Sequence, residues 1–197
     1  FDYVTVEFAD DWPDGEADVV IANELLDNLA CKIAERVDGH WRELLVDGDV
    51  FVHGDPIELG VELDAPDGAR VPVHTTARTW LARARATAPR VVLVDYGTAT
   101  TAELVGRQWL RTYETHGRGF EPLRNPGSRD ITTDIGFDQL QPDRLTTQAD
   151  WLRAHGIEAL VEDARATWTE RAAIGDLAAL KARSRVNEAD ALLDPSG

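Results

Sequence analysis

The chain has a single cysteine, Cys31. No internal disulfide can form, so a disulfide-stapled scaffold is excluded and a reducing, cytoplasmic setting is expected. Serine occurs only at Ser128, Ser184 and Ser196, and none of them sits in Gly-x-Ser-x-Gly, which removes the nucleophile elbow of the serine hydrolases. The five histidines are scattered, with no His-Glu-x-x-His and no Cys/His cluster, so no zinc site is expected. No Gly-x-x-x-x-Gly-Lys-Ser/Thr is present to cradle phosphates. Apolar runs stay far below the roughly 18–20 residues that cross a bilayer. Phe1-Asp2-Tyr3 has neither the basic nor the apolar region of a signal peptide. Positive charge is also scarce. Lys plus Arg is 20 against 36 Asp plus Glu, a formal net charge of −16. Such a surface repels phosphates and argues against a nucleic-acid partner, whereas it suits a cationic one.

What is present is enough for one domain. The chain has 197 residues, and 43% of them are hydrophobic, sufficient for a core. Tyr3 to Phe8 reads as a short strand, followed by an acidic loop from Ala9 to Ala17. Val19 to Ala22 and Val91 to Val94 are continuous apolar runs, the pattern of strands covered on both faces. Before the second run, Ala77, Trp80, Leu81, Ala84 and Ala88 follow helical spacing over Thr75 to Ala88, and Pro89 stops the helix. Strand, helix and strand make a parallel crossover. Residues 31–73 interrupt it. Turn signals at Asp38-Gly39 and Asp47-Gly48 flank Trp41 to Val46 and predict a β-hairpin insertion. Gly117-Arg118-Gly119 reads as a turn, and Ile131 to Phe137 as a further strand. Gln148 to Ala154 reads as a short helix with Gly156 at its C′ position, and Leu177, Leu180, Leu192 and Leu193 point to more helix near the end. The fold class is α/β with a mostly parallel sheet.

In an open parallel sheet, ligands gather at the carboxyl ends of the strands. Asn23-Glu24-Leu25-Leu26-Asp27-Asn28 follows the first apolar run, and Asp95-Tyr96-Gly97 follows the second. Both clusters are polar and acidic. If the chain turns into a helix after Ala22, Glu24 and Asp27 share one face. The alternative is that Asn23 and Asp27 merely cap that helix and Glu24 is surface.

Several segments carry a family resemblance. Val19 to Leu29 resembles the "NE-F/L-F/L-DALP" signature of the MidA-like S-adenosylmethionine-dependent methyltransferases. Trp41-Arg42-Glu43 is similar to that family's Trp-x-Glu, and Val92 to Gly97 to its strand ending in Asp-Tyr-Gly. Leu110-Arg111-Thr112-Tyr113 with His116 resembles "TLR-x-Y/F-x-x-H". Pro126 to Thr132 resembles "PG-x-x-D-L/I-T", and Gln148 to Ile157 "Q-x-x-F/W-L-x-x-x-G-I". The pieces fall in family order. Two departures touch the substrate side: Ala-Leu-Pro becomes Asn28-Leu29-Ala30, and "GTLR" becomes Gln108-Trp109-Leu110-Arg111.

The resemblance implies a Rossmann-like class I methyltransferase domain over residues 1–197, with 31–73 as insertion and a helical C-terminal part. It implies a domain incomplete at both ends. The family's glycine-rich cofactor loop, its ribose-binding acid and its final strand have no counterpart, and cofactor affinity of the chain alone is expected to be weak. The implied cofactor is S-adenosylmethionine, touched by Asp10, Asp11 and Asn23. The implied reaction is methylation of protein arginine in a subunit of respiratory complex I during assembly. Glu24 would clamp the guanidinium, with Asp27 as second carboxylate or local cap, and Asn23 would shape the transfer pocket. Asp95 and Tyr96 would line the substrate side, and Arg111, Tyr113 and His116 would belong to a recognition segment. A non-enzymatic assembly factor, or a methyltransferase for another substrate, remains open on sequence alone, as does the oligomeric state.

Overall fold

A computed structural model describes residues 4–5, 12, 15–114, 117–119, 122–124 and 127–193. The chain divides into two compact units, Phe1–Asp143 and Arg144–Gly197. The first unit opens with β1 (Val20–Asn23), a 3-10 turn (Leu26–Asn28), β2 (Lys32–Val37), β3 (His40–Asp47), β4 (Val50–Pro56) and β5 (Arg70–Val73). It continues through α1 (Thr75–Thr87), β6 (Val91–Val94), β7 (Gly97–Thr98), a 3-10 turn (Thr101–Leu104), β8 (Leu110–Glu114), β9 (Gly117–Gly119), β10 (Asp130–Thr133), β11 (Ile135–Gly136) and a last 3-10 turn (Phe137–Leu140). The second holds α2 (Gln148–Ala154), α3 (Ile157–Arg171) and α4 (Leu177–Leu192).

The two apolar runs pair with each other. β1 and β6 are parallel, Val20 opposite Val91 and Asn23 opposite Val94, so both polar clusters emerge at one end. α1 lies between them in sequence and turns its expected stripe inward: Ala77, Leu81 and Ala84 are buried. It packs with Leu26, Leu29, Ile135 and Leu140, and Val91 and Leu93 of β6 close the cluster. Fully burying a leucine such as Leu26 or Leu81 contributes roughly 1.5–3 kcal/mol. The other face of β1 is different. Ile21 is 70% exposed, so the expectation of a strand covered on both faces does not hold among the described residues.

Residues 31–73 form an antiparallel sheet in the order β4-β3-β2-β5. Asp38 and Gly39, with φ of +48° and +75°, make a two-residue turn of the type that matches strand twist. Ala34, Leu59, Val71 and Val73 build a separate small core beneath it. The fold is α/β, but its sheet is not mostly parallel. Among the described residues, parallel pairing is confined to β1 with β6 and β11 with β7, and the largest sheet is antiparallel. The reason is local: hairpin turns join β2, β3 and β4 directly, whereas parallel pairs need crossovers.

Two further readings change. Gly117–Gly119 is a strand paired antiparallel with β8, not a turn. The strand expected over Ile131 to Phe137 breaks at Asp134, whose N–H donates to the Trp109 carbonyl at 2.8 Å. Its first half pairs with β8 and its second with β7. The strand expected over Tyr3 to Phe8 falls mostly outside the described residues. In the second unit, Thr147 caps α2 through the Asp150 N–H at 3.1 Å, and Gly156 turns the chain at φ +87°. α3 and α4 pack through Val161, Ala164, Val186 and Ala189. Leu177, Leu180 and Leu192, which signalled this helix, lie on its exposed side. Among the described residues no helix is long and apolar enough to cross a membrane.

Candidate functional site

The site grows from the shared end of β1 and β6. The Glu24 N–H donates to the Val94 carbonyl at 2.8 Å, which carries the parallel ladder one residue beyond β1. The backbone then turns left-handed at Glu24, φ +48°. A non-glycine residue held there costs energy and draws attention to its surroundings. The 3-10 turn that follows starts only at Leu26, so Glu24 and Asp27 do not share the face of a regular helix. Nor does Asp27 cap one: the N-cap position is Leu25, without a side-chain cap bond.

The side chains nonetheless converge. Tyr96 donates its hydroxyl to Glu24 Oε1 at 3.2 Å, across 72 residues of sequence. The Glu24 charge, with some burial, holds the Tyr96 phenol above its usual range. Asp27 is buried, and Asn28 Nδ2 donates to its Oδ1 at 2.7 Å and to the Glu24 carbonyl at 3.2 Å. Burial and the neighbouring Glu24 charge raise the Asp27 carboxyl, while Arg111 and Asn28 pull it down. Asp95 accepts from the Leu26 N–H at 2.8 Å and from the Tyr96 N–H at 2.9 Å. Burial, reinforced by Asp27, pushes Asp95 up to about 6 against those backbone donors. Three carboxyl groups thus crowd one strand end, two of them raised.

Arg111 comes from β8 and supplies the counter-charge. It forms an ion pair with Asp134, and both side chains are largely buried. Tyr113, two residues on, lies on the same strand but is 41% exposed and paired in register with Asp130, so it does not join the cluster. Asn23 is exposed at the strand end and makes no side-chain hydrogen bond among the described residues. Asp10, Asp11 and His116 lie outside the described residues. Of the residues singled out in the sequence, Glu24, Asp27, Asp95, Tyr96 and Arg111 lie together here, with Asn28 of the same polar cluster and with Asp134, which the sequence reading did not single out. Asp134 carries no sequence signal, since its role depends on a pairing between β8 and β10.

Comparison with known proteins now gives the site a context. Residues 2–157 match the model of a family described as "Putative S-adenosyl-L-methionine-dependent methyltransferase". The chain belongs to this family. Among solved structures it is similar to a COG1565 superfamily member from Burkholderia thailandensis bound to S-adenosyl-homocysteine. The TM-score is 0.70 at 23% identity, over 95% of this chain and 52% of that one. A native structure of a COG1565 superfamily protein from the same organism gives a TM-score of 0.72 at 22% identity, over 94% and 54%. The likeness establishes the shared fold, and the chain spans about half the length of these neighbours. No curated protein matches it.

The residues present fit such a methyltransferase family's cofactor in two respects. The unengaged Asn23 amide at the strand end can meet a polar ligand, and a carboxylate-lined edge suits a sulfonium charge.

Proposed function

We propose that this chain carries the substrate-facing part of a methyl-transfer site that acts on protein arginine. The observation that carries the reading is the exposed Glu24 carboxylate at the end of β1, with Asp27 and Asp95 behind it and the Tyr96 hydroxyl on one oxygen. A guanidinium stays protonated at ordinary pH and binds carboxylates through paired hydrogen bonds. Glu24 keeps one oxygen free of Tyr96 for that contact, and Tyr96 fixes the orientation of the other. Asn23 would hold S-adenosylmethionine in part, and the bound cofactor would supply an electrophilic methyl group. Glu24 aims one guanidinium nitrogen and balances its charge. Methyl transfer to that nitrogen would leave the cofactor as its neutral thioether and release one proton from the nitrogen to solvent. The ordered MidA-like motifs support a target in a respiratory complex I subunit, and the lone Cys31 supports a reducing, cytoplasmic setting.

The test is Glu24→Gln in single-turnover methylation of an arginine-containing protein, with cofactor affinity measured in parallel. The amide carries no charge and places a donor where an acceptor is needed. Losing one charge-assisted bond costs roughly 2–4 kcal/mol of transition-state stabilisation, about 30- to 1000-fold in rate. Cofactor affinity is expected to stay nearly unchanged. Transfer at close to the unmutated rate refutes the clamp and favours another substrate or a non-enzymatic role.

A further inference from the structure

The 3-10 turn beginning at Leu26 has no cap from its own segment, because the N-cap position holds an apolar leucine. Backbone N–H groups at the start of a helical turn need acceptors. Here the acceptor reaches over from the neighbouring strand. Asp95 Oδ2 takes the Leu26 N–H at 2.8 Å, 69 residues away in sequence. Oδ1 takes the Tyr96 N–H at 2.9 Å. Both oxygens are therefore committed to backbone. Glu24 differs: its carboxylate is exposed and meets only the Tyr96 hydroxyl among the described residues.

We propose that Asp95 is a positioning residue that caps the Leu26 turn across the strand pair and so fixes the direction of the Glu24 carboxylate, instead of binding substrate. Three successive residues at the end of β6 grip the turn. The Val94 carbonyl holds the Glu24 N–H, Asp95 holds the Leu26 N–H, and Tyr96 holds the Glu24 carboxylate. A left-handed non-glycine residue persists only where its surroundings over-determine it, and bonds on both sides of Glu24 do so. This assignment rests on the reading of Glu24 as the guanidinium-binding group, and its consequence for the backbone does not.

The experiment has two arms on the whole protein. The first reads geometry without activity. In Asp95→Ala, which removes both acceptor oxygens, hydrogen exchange at the Leu26 amide is expected to rise about tenfold or more, with amides of β2 and β3 in the same unit unchanged as a control for folding. In Asp95→Glu, which keeps the charge but moves the acceptor, the Tyr96 phenol titration followed by ultraviolet absorbance, with Tyr96→Phe for subtraction, is expected to fall toward its ordinary value. Unchanged Leu26 exchange, or an unmoved Tyr96 titration, overturns the proposal. The second arm is a double-mutant cycle. Asp95→Asn is expected to slow methyl transfer about tenfold in the unmutated background and less than about threefold when Glu24 is already Gln. Equal losses in both backgrounds mean that Asp95 does not act through Glu24. If no arginine substrate is methylated at all, the proposed function fails, and the exchange and titration arm still decides the role of Asp95.

Discussion

His74 sits at the junction of β5 and α1, 1% exposed. Its backbone N–H donates to Gln139 Oε1 at 3.0 Å, and its ring Nε2 accepts from the Gly136 N–H at 3.3 Å. Gln139 in turn donates to the Pro72 carbonyl at 2.8 Å and to Thr101 Oγ1 at 3.1 Å. The ring is thus built to be neutral, since a protonated Nε2 would point a donor at a donor. Burial, with Arg78 nearby, lowers it from 6.5 to about 4, against the pull of the Asp134 backbone and Asp138. The folded chain therefore holds this proton less tightly than the unfolded chain. Stability is complete above about 6.5 and is lost as pH falls toward about 4. Relative to pH 7, the loss worked from these two values is about 1 kcal/mol at pH 5.5 and about 2 kcal/mol at pH 4.5. The assay is urea denaturation of the unmutated protein and His74→Gln at pH 7, 5.5 and 4.5, followed by tryptophan fluorescence. Asp95 works in the opposite sense, its folded-state proton being held more tightly, so that stability is lost as pH rises from 3.8 through about 6. It is present in both proteins and cancels in the comparison. The stability difference between the two proteins should shrink by the stated amounts as pH falls. A difference that stays constant across the series refutes a neutral buried His74.

Arg111→Met removes the partner of Asp134 in a largely buried pair and the positive charge that opposes the rise of Asp27. Chemical denaturation should show a loss of about 2–4 kcal/mol, and a loss below about 0.5 kcal/mol would mean the pair is screened like a surface one. Gly97→Ala would place a Cβ 2.1 Å from the Ile135 carbonyl oxygen, a backbone atom that cannot step aside while β7 and β11 stay paired. The expected cost is about 3 kcal/mol or more, and a thermal midpoint within a degree or two of the unmutated protein would show that the two strands do not approach so closely.

The parts of the fold legible in the sequence are those set by short-range pattern. The runs at Val19 to Ala22 and Val91 to Val94 announce strands by apolar continuity, and their connection through an amphipathic helix makes parallel pairing the expected arrangement, against observed strands Val20–Asn23 and Val91–Val94. α1 is legible end to end because its stripe and Pro89 agree. The sheet class was misread because apolar runs advertise parallel strands, whereas β2, β3 and β4 alternate weakly and declare themselves only through their turns. The break at Asp134 leaves no local mark. It arises because Trp109 and Tyr96, from two different segments, each take a backbone N–H from adjacent residues, Asp134 and Ile135.

The candidate site shows the same division at the scale of three residues. Asp95-Tyr96-Gly97 reads in sequence as one acidic cluster beside a substrate. In the structure each residue answers to a different distant partner. The Asp95 carboxylate caps the turn at Leu26, the Tyr96 hydroxyl meets Glu24, and Gly97 is without a side chain because the Ile135 backbone occupies that space. The Tyr96 carbonyl also accepts the Ile135 N–H at 2.9 Å, which ties β11 to the same segment. Residue type alone cannot separate these roles, since a carboxylate that caps a turn and one that holds a guanidinium need the same atoms. What separates them is which lone pairs are already taken. Asp95 has both oxygens on backbone donors, whereas Glu24 has only one oxygen on Tyr96. An acid poised for a cation must keep an oxygen free and within reach: Asp27 also has only one oxygen bonded, to Asn28, but it is buried, which leaves the exposed Glu24 as the group suited to receive a guanidinium, with Asp95 holding it in place.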